Sequence, residues 1–552
     1  TIAQGEFNTD SSNNYALTVT GKTEITTGTL TLNASTCLLN SGGTAGGLVL
    51  NASATVLADA DSTVTMGSIE AAYDSSINIR LAGTNTINNY RSSTDKTMKL
   101  PPGVVDPASS TTSFTVTTSA TNTEVSAVNL VNLTFTPASG TPNFNLHSGY
   151  GGIDIEGDLT INTGVTITTE NNALTVTGEV NVAGTLTCNS SVCSFGSLDS
   201  TGLTNLADDS GSTLITSENS DGLSIVAGTF GTCVPAKIKH NNGTVTFNNH
   251  SDPATHAAIV VGNSNATDGL YNVIIDGANT IVDTYDPGGA GQECKIHNNF
   301  TVTNGSFQVN GASNPFDVGG DVLVSAGKMF GDGAAPTGAM SFGSLTIASG
   351  AEFKATTGTT TITSEAGSGY AVEFSGTYTH SSGTLKITTD ANTFVKTNDK
   401  TYNLVIEAAT STRVYEWVNN TTIQGDLTIN AGEFQHYSST YSLDVQGDCT
   451  INNTGKLDGG AGSIELGSLT IASGGTYSAT SGETSITGAG GISRAGTFTH
   501  NNGTVDFEAG TTVIQSTTMT GSNAFYIIKS TGNTWYRIDQ DIDIERHAST
   551  GY

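Results

Sequence analysis

Short apolar–polar–apolar segments recur along this chain at near-regular intervals, and that recurrence restricts the fold more than any other feature. Leu17 opens LTVTGKTEITTGTLTL and Leu174 opens LTVTGEVNVAGTLTC; Phe316 opens FDVGGDVLVSAGKM and Leu443 opens LDVQGDCTINNTGKL. Gly343 begins GSLTIASGAEF and Gly467 begins GSLTIASGGTY. Gly376 begins GTYTHSSGTLKI and Gly496 begins GTFTHNNGTVDF, with the related HNNGTVTF starting at His240. Tyr271, Tyr402 and Phe525 open YNVII, YNLVI and the looser FYIIK. In LTI and LTV, alternation puts Leu and Ile on one face and Thr on the other, the pattern of a half-buried strand. The Gly-Asp, Ala-Gly and Asn-Gly pairs between strands predict tight turns with positive φ. No run has 3.6-residue periodicity, so the chain is expected to be all-β.

The spacing then sets the architecture. Gly425, Gly447 and Gly467 stand 22 and 20 residues apart, which predicts a β-solenoid (parallel β-helix) of roughly 20–22 residues per coil, with about three short strands in each. Stacked at ~4.8 Å, roughly 26 coils would extend on the order of 100–130 Å. At 552 residues the chain is too long for one ordinary core unless the core grows in one dimension. A string of β-sandwiches is the rival reading, but regular linkers and buried-Trp landmarks are missing. Taken in order, YNLxI, GDLTI, LxVxGD, GSLTI and GTFTHNNGTV predict about four larger tandem units. Their bounds are 1–130 (opening in mid-unit), 131–270, 271–401 and 402–524, with a partial unit at 525–552.

The run GDLTI…GTFTHNNGTV…YNLVI resembles the tandem repeats of secreted bacterial and archaeal surface proteins, among them filamentous-haemagglutinin-like and other β-helix adhesins. The resemblance covers nearly the whole chain and its motifs specify fold better than activity. It implies export, a cell-surface or extracellular location, and adhesive or scaffolding work.

Thr1 opens TIAQGEF, a segment that recurs as TINTGVT from Thr160, TVTNGSF from Thr301 and TINAGEF from Thr428. Tyr402 precedes Thr428 by 26 residues and Tyr271 precedes Thr301 by 30, so the next such segment after Phe525 is expected just past Tyr552. Both ends therefore read as one internal point of the repeat. The expectation is a head-to-tail homopolymer in which Thr1, Ile2, Gly5 and Phe7 of one copy meet Trp535, Tyr536, Ile538, Ile542 and Ile544 of the next by strand complementation. The alternative is an excerpt of a longer cell-surface adhesin, whose continuation covers those edges.

Composition excludes some partners. With 49 acids against 19 Lys and Arg the formal charge is −30, so the basic footprint of a nucleic-acid binder is missing, and scattered acids read as a solvated surface. Asp539, Asp541 and Asp543, followed by Glu545, form a Ca²⁺ candidate, although neither an EF-hand loop nor a nonapeptide Ca²⁺ array is present; otherwise no cofactor is expected. No apolar run is long enough to span a bilayer. Of six cysteines (Cys37, Cys188, Cys193, Cys233, Cys294, Cys449), Cys188 and Cys193 bracket the polar loop CNSSVC and are the disulfide candidate for an oxidising compartment. Zinc-type Cys/His spacing is lacking, and Asn-x-Ser/Thr sequons occur only at chance frequency.

Catalytic chemistry is not expected. His240, His380 and His500 recur at matching places, but about six coils, or ~25–30 Å, separate successive copies, too far to share a metal or substrate; each reads as a turn residue before a strand. The acid pairs Asp208–Asp209 and Asp59–Asp61 occur once each in loop-like surroundings, unlike the gathered carboxylates of a polysaccharide-cleaving β-helix. A nucleophile elbow, a P-loop and a dinucleotide fingerprint in βαβ context are all lacking. Polysaccharide binding is the remaining candidate activity, through Tyr285, Tyr415, Tyr536, Trp417 and Trp535, whose alternative role is packing within the solenoid.

Overall fold

In a computed structural model the described residues are 1–39, 47–88, 97–102, 104–105, 112–118, 123–146, 152–200, 202–206, 212–215, 238–248, 257–260, 269–285, 293–309, 314–330, 335–397, 401–408, 410, 414–438, 441–508, 511–514, 518–531, 535–538 and 541–545. They form short strands that pair in parallel with the next coil, and the helical turn among them is the 3-10 segment Gly521–Asn523. The contacts divide the chain into two compact units, Thr1–Gly289 and Ala290–Tyr552.

In the second unit three stacks of inward side chains build the core. One runs Leu404, Leu427, Cys449, Leu469, Ile492; the second Tyr415, Phe434, Leu457, Tyr477, Phe498; the third Ile423, Val445, Leu466, Ile486, Phe507. Each coil supplies one residue to every stack, hence three strands per coil, as the spacing predicts. The first unit repeats the plan, with Leu133–Leu159–Val180–Leu198, Phe144–Ile167–Leu186 and Ile153–Leu174–Cys193. The stacked residues are almost solvent-free, while threonines between them, such as Thr428, Thr450 and Thr470, face outward and half-exposed. Parallel in-register stacking is what lets a chain of so few aromatics bury a continuous core.

Two expectations need correction. The described residues hold about 17 turns averaging about 23 residues, longer than 20–22, because some coils carry corner loops; Leu345 pairs with Val372, 27 residues on, and a turn closed by Gly369 N–H donating to the Ala366 carbonyl lies between them. The count of four larger units is not supported. The segments YNLVI, GDLTI, GDCTI and GSLTI, which the sequence order treats as successive parts of one long unit, stack on one another as equivalent strands of consecutive coils.

The glycines divide into two kinds. Gly5, Gly164, Gly305 and Gly432, at matching places in TIAQG, TINTG, TVTNG and TINAG, have φ of 83°, 88°, 80° and 88°, where only glycine is at ease. The Gly-Asp glycines do not adopt positive φ. A Cβ on Gly447 would lie 2.5 Å from the Gly425 carbonyl oxygen and 2.4 Å from Asp426 Oδ1, and one on Gly467 would lie 2.4 Å from the Gly447 carbonyl oxygen. Glycine is needed there because successive corners nearly touch. In HNNG the positive φ falls on Asn501 (47°) and Asn502 (60°), not on Gly503.

Candidate functional site

The recurrent Gly-Asp corner, read in the sequence as a tight turn, is also a coil-to-coil fastener. Asn403 Oδ1 accepts the Asp426 N–H at 2.9 Å, Asp426 Oδ1 accepts the Asp448 N–H at 2.8 Å, and the Ser468 hydroxyl donates to Asp448 Oδ1. Asn299, Asp321 and Ser344 repeat the ladder, as do Asn132, Asp158 and Glu179 in the first unit. Asn132, Asp158, Asn299, Asn403 and Asp426 cap the corner amide of the following coil, whereas Asp321 and Asp448 accept a serine hydroxyl there.

The three matched histidines share a second fastening role. Nδ1 of His240, His380 and His500 accepts the N–H two residues on, from Asn242, Ser382 and Asn502, each at 2.9 Å. With Nδ1 accepting, the ring proton of the neutral imidazole sits on Nε2. Each ring also stacks on an aromatic of the next coil: Tyr271 at 5.0 Å, Tyr402 at 5.4 Å and Tyr526 at 5.3 Å between centroids. Thr356 and Thr480 accept a turn N–H the same way, from Gly358 and Gly482, so imidazole is one of several acceptors serving these corners. His500→Ala is expected to destabilise the local coils by about 1 kcal/mol and to speed amide exchange at Asn502, whereas His500→Asn, which keeps a short acceptor for an Asx-type turn, should recover most of the protection. Equal exchange in both variants would contradict the turn role.

Asp59 and Asp61 are exposed turn residues, and Asp208, Asp209, Asp539 and Cys233 lie outside the described residues. Asp541 and Asp543 are exposed; Asp543 Oδ2 accepts the Gly521 N–H, and Glu545 lies 3.5 Å from His500 Nε2. Among the described residues the acids that do converge are Glu483, Asp506 and Glu508, which sequence reasoning missed because their approach depends on coil register. Buried Asp506 is already served there: Lys529 Nζ lies 2.9 Å from it and 3.1 Å from Glu483, and the Thr531 N–H and hydroxyl donate to it at 3.2 and 3.0 Å. The Lys529 ammonium thus pairs with two of the three carboxylates.

Cys37, Cys188, Cys193, Cys294 and Cys449 are buried free thiols. The Cys188 thiol is hydrogen-bonded to Cys193, and that contact followed by burial holds its pKa well above the usual thiol range; burial and then Asp448 push Cys449 up to about 12. Thiols so protonated are poor nucleophiles.

The aromatic candidates are redistributed. Tyr415 and Trp417 are 0% and 1% exposed, Tyr415 with its hydroxyl donated to the Thr389 carbonyl at 2.7 Å, so neither can meet a saccharide. Tyr285, Trp535, Tyr536 and Ile538 sit in strands. Among the suggested end residues, Thr1, Gly5 and Phe7 are exposed, while Ile2, Ile542 and Ile544 are half-buried in isolated bridges to Ile25, Met519 and Phe525. A different aromatic group does reach the surface. Outward-facing Phe394 contacts the rings of Tyr370 (5.3 Å) and Tyr437 (5.5 Å), beside a groove of about 250 Å³ lined by Asn392, Thr393, Phe394, Val414, Glu416 and Gln435. No helix among the described residues is long and apolar enough to cross a membrane. No protein-family model, curated protein or solved structure matches the chain at a significant level.

Proposed function

We propose that the chain is a non-enzymatic structural building block of an extracellular filament or surface appendage. One observation carries this reading: the recurrent polar side chains of the repeat, the Gly-Asp carboxylates and the matched histidines, are engaged in joining one coil to the next. Groups so engaged are not free to bind or transform a substrate, and a stack fastened at recurrent corners suits a load-bearing or spacing role. Cys188 and Cys193, hydrogen-bonded as thiols, are close enough to form a disulfide in an oxidising location.

Head-to-tail association of copies belongs to the same proposal. The internal TINAGEF strand, Leu427–His436, pairs with coils on both of its sides, whereas the matching Glu6–Asn8 strand pairs with Thr29–Thr31. Its other side would suit a coil of the same pattern, such as the strand 535–538 of a neighbour. Electron micrographs of purified material, together with its intact mass taken without reductant, test both parts. Long uniform fibres are expected, with the two thiol hydrogens of Cys188 and Cys193 missing from the mass. Dispersed particles would overturn association.

A further inference from the structure

We propose that the groove beside Phe394 is a binding subsite for a neutral saccharide. Outward positions of these coils are mostly Thr, Ser, Asn and charged residues, so a cluster of Tyr370, Phe394 and Tyr437 on an outer face departs from the pattern that serves the core. Tyr370 pairs with Phe394, Phe394 with Glu416, and Glu416 with Gln435, so all four lie in one outward column crossing successive coils. Tyr437 is 61% exposed, and its ring meets Phe394 edge-on at 89°. The column thus begins as an aromatic platform and continues as a polar row.

That row is pre-set. Gln435 Nε2 donates to Glu416 Oε1 at 2.8 Å, which fixes both side chains and leaves Glu416 Oε2 and Gln435 Oε1 as acceptors lining the groove. Asn392 accepts the Val414 N–H through Oδ1 at 3.0 Å, so its amide nitrogen remains a donor. An apolar ring face beside fixed acceptors and a donor matches a sugar, which offers C–H patches on one side and hydroxyls at its rim. Charge selects the class. Glu373 and Glu433 near the groove are each offset by a lysine, Lys396 and Lys456, Glu416 places a carboxylate in the groove wall itself, and the chain carries −30 overall; an anionic polysaccharide is repelled. The subsite does not depend on the filament reading, since a structural coil without sugar affinity would still be structural.

Affinity electrophoresis of the full chain in native gels containing dextran, mannan or galactan, with polygalacturonate as the charged arm, tests the assignment. Retardation by at least one neutral polysaccharide is expected, with none in polygalacturonate. Phe394→Thr and Tyr437→Ser should each weaken it about tenfold while thermal unfolding stays at the parental midpoint. Gln435→Ala, an outward change with little packing at stake, should weaken it as well and covers the case in which Phe394→Thr perturbs the coil. Absence of retardation in every neutral gel, retardation in polygalacturonate alone, or undiminished retardation in the Tyr437 and Gln435 variants would each overturn the subsite.

Discussion

Gly447→Ala is expected to cost about 3 kcal/mol, at the upper end for overpacking, while Gly367→Ala is expected to be neutral or to stabilise by about 0.5 kcal/mol. The two glycines are alike in chemistry and opposite in surroundings. A methyl group on Gly447 would lie 2.4 Å from Asp426 Oδ1, 2.5 Å from the Gly425 oxygen and 2.6 Å from the Gly425 carbonyl carbon. Two of those three atoms are backbone and cannot rotate away, so the coil must separate from the one below. Separation lengthens the Gly447 N–H bond to the Gly425 carbonyl (3.0 Å) and the Asp448 N–H bond to Asp426 (2.8 Å). Gly367 lies in an exposed turn, without positive φ and with nothing within 4 Å of the place a methyl group would take, so alanine there only restricts the unfolded chain. Because coils contact only their neighbours, the Gly447 damage should stay local. Hydrogen exchange should therefore rise in strands Leu427–His436, Leu443–Asp458 and Ile464–Ile471 and remain unchanged in the first unit. A loss spread evenly over the chain, or equal effects at the two glycines, would refute the corner-contact explanation.

How much of this was legible beforehand follows from which contacts are local. Alternation in LTI and LTV is a property of adjacent residues, so strands, their inward faces and the parallel stack were readable; Leu427, Cys449 and Leu469 fall on one line as the 22- and 20-residue spacing requires. Positive φ in TINAG was readable from the Ala-Gly pair. The reason for glycine in Gly-Asp was not, since it lies in the coil below rather than in the chain on either side. The same holds for the sites. The histidine turns were legible because His500 and Asn502 are two residues apart, but the Tyr526 stack is not a local feature. Glu483, Asp506 and Lys529 meet across three coils, and Tyr370, Phe394 and Tyr437 meet only because register brings them onto one outer face. Sequence order also misled where motifs vary from coil to coil: YNLVI and GSLTI differ enough to look like different parts of one long unit, yet both occupy the same stack.

Trp417→Ala is expected to be the most damaging single side-chain truncation, with a loss of about 3–5 kcal/mol. Trp417 is 1% exposed in the Val414–Trp417 strand and packs its ring against Phe434 at 4.7 Å and His436 at 5.9 Å. Alanine would leave a void that a coil pinned on both sides by ladder bonds to Val395 and His436 cannot collapse to fill. The indole N–H complicates the account in a useful way, because it is buried without an acceptor. An unsatisfied donor costs about 1–3 kcal/mol, so Trp417→Phe, which removes that donor and keeps most of the ring, should cost no more than about 1 kcal/mol in spite of its lost volume. Urea unfolding followed by tryptophan fluorescence is unsuited to these variants, so far-UV circular dichroism should be used, with exchange at residues 393–397 and 427–436 as the local reading. A phenylalanine variant as damaged as the alanine one would mean that the indole N–H has a partner whose loss matters. Near-parental stability for the alanine variant would mean that the ring faces solvent and that Trp417 returns as a saccharide-stacking candidate in place of Phe394.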